Sequence, residues 1–164
     1  MKRGVVSVGT AGGVDVRMLI PPPYRTEPEF IKWDQRFLDL AEFISHWSKD
    51  PSTKCGAVIT DSDHRVISVG YNGLPKGIKD TDERINDRET KYKIIVHCER
   101  NAILFAKRDL TGCTLYTFPF MSCSNCAQLV IQSGINRCAA PEVPRDKRDR
   151  WADDMALSTS LFKE

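Results

Sequence analysis

Four side chains in the middle of the chain restrict its chemistry more than anything else in it: His97-x-Glu99 and then, 24 residues after the glutamate, Cys123-x-x-Cys126. Zinc takes nitrogen and thiolate donors tetrahedrally, and a catalytic zinc site supplies three protein ligands and leaves the fourth position for water. One histidine and two cysteines make three. Two thiolates separated by two residues reach one ion from the first turn of a helix, whose free amides favour the thiolate form. Glu99, two positions from His97, points toward the metal from a helix start without ligating it, which separates proton transfer from coordination. A structural zinc would need a fourth Cys or His at similar spacing. His46 and His64 stand alone, in stretches that read as helix and as hairpin turn, and are expected in surface or packing roles. Cys55, Cys98, Cys113 and Cys138 occur singly among apolar or β-type neighbours and are expected as small buried hydrophobes, with a second, structural zinc through Cys55 or Cys98 as the alternative.

Around this pattern the chain has the size and balance of one soluble domain. Its 164 residues, 41% of them hydrophobic, suffice to bury a single core without disulfides. A net charge of +2 is too weak to imply a nucleic-acid partner, so any phosphate bound is expected to be small. No apolar run approaches the roughly 20 residues needed to span a bilayer, and residues 1–20 offer no convincing signal peptide. The six cysteines lack the spacing of a secreted disulfide framework, so a cytoplasmic location is expected.

The pattern of elements predicts an α/β fold. Residues 1–26, with Gly9, Gly12, Gly13 and Pro21-Pro22-Pro23, read as a flexible N-terminal arm, and 27–164 as the folded domain. Phe30, Trp33, Phe37, Leu40, Ala41 and Ile44 recur at helical spacing from about residue 28 to 48. Residues 54–60 and 65–70 form a hairpin around Asp61-Ser62-Asp63, followed by a glycine-punctuated loop over 70–77 and a long charged excursion over 80–93. A helix from His97, a strand at 114–117, a helix at 123–131 stopped by Gly134, a strand at 135–139 and a last helix complete the order. Such alternation gives a mixed sheet covered by helices on both faces.

His-x-Glu followed by Cys-x-x-Cys is the signature of zinc deaminases, in which the glutamate is the general acid and base. The chain resembles the deoxycytidylate deaminase family of the cytidine deaminase superfamily. Four segments carry the resemblance: Ser48-Lys49-Asp50-Pro51-Ser52-Thr53-Lys54-Cys55-Gly56-Ala57-Val58, Gly70-Tyr71-Asn72-Gly73-Leu74-Pro75-Lys76-Gly77, His97-Cys98-Glu99-Arg100-Asn101-Ala102-Ile103 and Ser122-Cys123-Ser124-Asn125-Cys126-Ala127. The resemblance implies a single cytidine-deaminase-like domain that converts dCMP to dUMP with release of ammonia. Zinc bound by His97, Cys123 and Cys126 would lower the pKa of its water to about 7. Glu99 would then take that proton and deliver it to the ring nitrogen and the departing ammonia.

The resemblance further implies that Asn72 bonds the deoxyribose and that the loop of Lys49 to Lys54 assists with the 5′-phosphate. It implies a homo-oligomer, often a hexamer in this family, with dCTP and dTTP as effectors bound near the Gly-Tyr-Asn-Gly loop. Ser122 stands where a proline is usual, and Cys98 where an alanine is usual. Residues 138–144 lack the family's aromatic residue near the base, which leaves Trp151 as the candidate for stacking. The alternatives are deamination of dCTP, CMP, cytidine, a free base or adenosine in transfer RNA, and a noncatalytic zinc-binding regulatory module of the same fold. The weak net charge argues against RNA, the sugar-phosphate loops against a free base, and Glu99 against a purely structural site.

Overall fold

The computed structural model describes the backbone of residues 4–11, 14–20, 28–142 and 145–164, and the side chains of 32–142 and 151–164. The first helix, α1 (Pro28–Ser45), buries Phe37, Ala41 and Ile44 of the expected stripe together with Leu38, while Leu40 is half-buried and Trp33 is exposed. The hairpin follows as β3 (Gly56–Thr60) and β4 (Val66–Tyr71). The expected excursion folds into two short helices, α2 (Asp82–Asn86) and α3 (Arg88–Ile94), the second capped by the Asp87 carboxylate, which accepts from Thr90 N at 2.8 Å. Its charge density hid these helices, because only Lys91 on α3 is buried and no apolar stripe marks them. Then come α4 (Cys98–Ala106), β5 (Thr114–Phe118), α5 (Ser124–Gln132), β6 (Arg137–Pro141) and α6 (Arg145–Lys163). β6 lies two residues later than the apolar run at 135–139 suggests.

Residues 1–26, expected as a flexible arm, contain two strands instead: β1 (Gly4–Ala11) and β2 (Val14–Ile20). Val14, Val16 and Met18 alternate with Asp15 and Arg17, a period-two pattern outweighed in the sequence by the surrounding glycines and prolines. Gly12, Gly13 and the Pro21–Pro23 run lie outside the described residues. Among the described residues the sheet has the order β1-β2-β6-β5-β3-β4. β2, β6 and β5 run parallel to one another, and the β1–β2, β5–β3 and β3–β4 pairs are antiparallel.

Register sorts the core onto two faces, because successive strand residues point to opposite sides. Val58 pairs with Tyr116 and Tyr116 with Ala139, and all three pack under α1 with Phe37, Leu38 and Ala41. One residue along each strand, Ile59, Leu115 and Cys138 face the other way, onto Ala102 of α4, Ala127 and Val130 of α5 and Phe162 of α6. The mixed sheet with helices on both faces is therefore as the element order predicts. The second face matters for function, since α4 and α5 both begin at the edge of that layer. Among the described residues no helix is long and apolar enough to cross a membrane.

Candidate active site

His97 and Cys123 are the N-cap residues of α4 and α5, each in extended backbone conformation, with ψ of 157° and 165°. A cap residue has left the helical path while its neighbours have entered it, so its side chain is free to lean over the helix start. Cys126 follows in the first turn of α5 and is fully buried. The two helix starts meet: His97 Nδ1 lies 3.4 Å from Cys123 Sγ and 3.4 Å from Cys126 Sγ. All three donor atoms fall within 4.8 Å of one another, and among the described residues no other group of three such side chains does so. The alternative of a second zinc through Cys55 or Cys98 gains no three-ligand cluster there.

Ligand distances of about 2.3 Å for sulfur and 2.0 Å for nitrogen in a tetrahedron put the donors about 3.5 Å apart, so the observed spacing fits zinc. Of the three donors, Cys123 is the one held in the thiolate form. The Cys126 thiol and then the His97 ring bond to Cys123 and hold its thiol down to about 5, while His97 is pushed up, first by its bond to Cys123. Cys126 moves up correspondingly, since it carries the proton it shares with Cys123.

Glu99 sits one residue into α4, is 5% exposed, and lines the same cleft as His97 and Cys123. The buried Cys98 thiol, kept protonated by burial and then by its bond to Cys55, donates to Glu99 Oε2 at 3.2 Å. A buried carboxylate next to a three-donor metal cluster, with one oxygen fixed by a thiol, is equipped to pass a proton at the mouth of the metal site.

With this geometry in place, the model of the cytidine and deoxycytidylate deaminase zinc-binding region matches residues 31–141. The chain belongs to the cytidine and deoxycytidylate deaminase family. It is 46% identical over 133 residues, 81% of its own length and 88% of the relative's, to an uncharacterized deaminase from the luxG 3′ region of Aliivibrio fischeri. Human deoxycytidylate deaminase is 36% identical over 115 residues, which are 65% of this chain and 63% of the human enzyme, so the match spans less than two thirds of that relative. The fold is that of the dCMP deaminase of cyanophage S-TIM5 solved with dCMP and dUMP, at a TM-score of 0.62, 20% identity, and coverage of 85% of this chain and 97% of that one. Zinc is the cofactor to which the family and the donor set both point.

His97, Glu99 and Cys123 line one cleft. One wall is apolar and includes Phe118, Phe120, Met121 and Trp151. Trp151, the stacking candidate, packs against Phe120 with ring centroids 6.2 Å apart, whereas Phe118 and Phe120 escaped the sequence analysis although they flank Pro119 just ahead of the metal cysteines.

The loop after α1 also lines the cleft, through Asp50, Ser52 and Thr53. Asn72 is buried there and ties that loop down: its Oδ1 accepts from Cys55 N at 2.7 Å, and its Nδ2 donates to Thr53 O at 2.9 Å. The two lysines of that loop, Lys49 and Lys54, do not line this cleft. Lys49 is 70% exposed, pairs with Asp80 at 2.7 Å and lies outside the cleft, and Lys54 is exposed and also outside it. Among the described residues the cation that lines the cleft is Lys91 of α3, and nothing in the local sequence distinguishes it from its neighbours. His46 is exposed, and the exposed His64 stacks on Trp33 at 4.5 Å, both away from the metal cluster.

Proposed function

We propose that this deaminase converts dCMP and water to dUMP and ammonia, with residues 27–164 as the zinc-dependent catalytic domain. The observation that carries the reading is Glu99, buried in the same cleft as His97, Cys123 and Cys126. Zinc held by those three side chains supplies Lewis-acid activation of water. Glu99 accepts one proton of the attacking water and passes it to the ring nitrogen as the oxygen adds to the amine-bearing carbon; it then takes the second proton from the hydroxyl so formed and gives it to the amine, which leaves as ammonia while the carbon keeps a C=O. The C–N bond breaks, a C–O bond forms, and no electrons are exchanged. Phe118, Phe120 and Trp151 offer the base an apolar bed that excludes bulk water.

Asn72 serves the sugar. Its Oδ1 accepts one backbone hydrogen bond and keeps a second lone pair for a hydroxyl. A nucleotide preference is supported by the deoxycytidylate deaminases among the relatives, and the expected oligomer and dCTP or dTTP control belong to the same reading. A noncatalytic zinc module would have no use for a buried carboxylate at this place. The test is ammonia release from dCMP, dCTP, CMP, cytidine and adenosine, with the Glu99→Gln variant alongside. Turnover is expected to be highest with dCMP, and the variant should keep its zinc while losing most activity; near-normal turnover in the variant would show that another group moves the proton.

A further inference from the structure

The excursion between β4 and α4 places an ammonium in the cleft wall at a distance no sequence motif spans. Lys91 Nζ lies 2.9 Å from Asp50 Oδ1 and 3.0 Å from Ser52 Oγ, with the lysine side chain 5% and the aspartate side chain 7% exposed. Asp50 is held through both oxygens. Its Oδ1 also accepts from Ser52 N at 2.7 Å and Thr53 N at 3.2 Å, and its Oδ2 accepts from Asn72 Nδ2 at 3.4 Å. The carboxylate that would otherwise repel an anion in this wall is neutralised and turned inward.

The contact with Ser52 has a directional consequence. An ammonium only donates, so Ser52 Oγ is the acceptor and its hydroxyl proton must point away from Lys91. Ser52 is exposed and lines the cleft. A hydroxyl that accepts from a cation is polarised and becomes a stronger donor to the next group in the chain. That next group is best an anionic oxygen.

We propose that Lys91 is a positioning residue for substrate selection: it offsets the Asp50 charge by ion pairing and sets the Ser52 hydroxyl as a donor to the 5′-phosphate of the substrate. This rests on the nucleotide reading above and replaces Lys49 and Lys54 as the source of phosphate recognition. α3 thereby becomes part of the binding site, since it delivers the ammonium.

The experiment measures kcat and KM for dCMP and for deoxycytidine on the wild type, on Ser52→Ala and on the double variant Asp50→Asn/Lys91→Met, which removes both buried charges together. Ser52→Ala touches one exposed hydroxyl, so it keeps the test intact if the double variant folds poorly. In both variants KM for dCMP should rise about 10- to 100-fold with kcat within about threefold, and the ratio of the two specificity constants should collapse by the same factor. A ratio within threefold of wild type in Ser52→Ala would overturn the inference, as would equal losses on both substrates in the double variant, which mark a merely structural role. If the wild type itself fails to prefer dCMP, the nucleotide reading falls and this inference falls with it.

Discussion

Gly70, like Gly56, should resist replacement, and the reason is space. It lies in β4, where α4 crosses the sheet, and a Cβ built on it overlaps the Cys98 carbonyl oxygen and stands 2.5 Å from Ala102 N and 3.1 Å from Ala102 Cα. Ordinary contact begins at 3.4 Å, so α4 must retreat by about 1 Å, and the obstructing atoms are helix backbone that cannot rotate aside. Overpacking of this kind costs about 1–3 kcal/mol and more where nothing can yield, so about 3 kcal/mol is expected for Gly70→Ala. For a chain of this length that is a drop in Tm of about 6–12 °C. The same retreat displaces His97 and Glu99 at the start of α4, and a misplacement of about 1 Å in a catalytic group costs on the order of 100-fold in rate. Gly73, three residues on in the same loop motif, is the control: a Cβ there meets only the Tyr71 ring, at 3.8 Å. Thermal melts and kcat/KM for Gly70→Ala and Gly73→Ala decide the matter. A Gly70→Ala protein that melts within 2 °C of wild type with unimpaired turnover would refute the close-approach account.

Cys123→Ala and Cys126→Ala should each lower zinc content from about one per chain to a small fraction, as read by metal analysis of purified protein; full zinc in both would show that the cluster is not the metal site. The Tyr116 hydroxyl donates to Asp34 Oδ1 at 3.0 Å and accepts from Arg137 Nη1 at 3.1 Å, and burial, then the Asp34 charge, raise its pKa above 10. Above pH 10 the unfolded tyrosine releases its proton while the folded one keeps it, so stability should be flat up to about pH 10 and fall beyond it. Urea melts between pH 8 and 11.5 should show that decline in the wild type and a shallower one in Tyr116→Phe; equal slopes would remove Tyr116 as its source.

What the sequence by itself determined is what depends on neighbours in the chain. His97, Glu99, Cys123 and Cys126 could be read as a metal cluster with a proton carrier because each pair occupies one helix start, where two- and three-residue spacings have a known geometry. The α1 stripe, the β3–β4 hairpin and the order of the later strands were legible for the same reason, since helix and strand periods are local properties. Tertiary structure alone decided which charged side chains enter the cleft. Lys49 and Lys54 sit in the motif but face solvent, and Lys91 reaches Asp50 across 41 residues because α3 folds back over the loop. β2 is the same case: its alternating residues become a strand because β6 lies open beside them to accept its hydrogen bonds. A lysine or a short alternating run carries the same local signal wherever it stands, and its place is settled by a partner that is distant in the chain and near only once the sheet has formed.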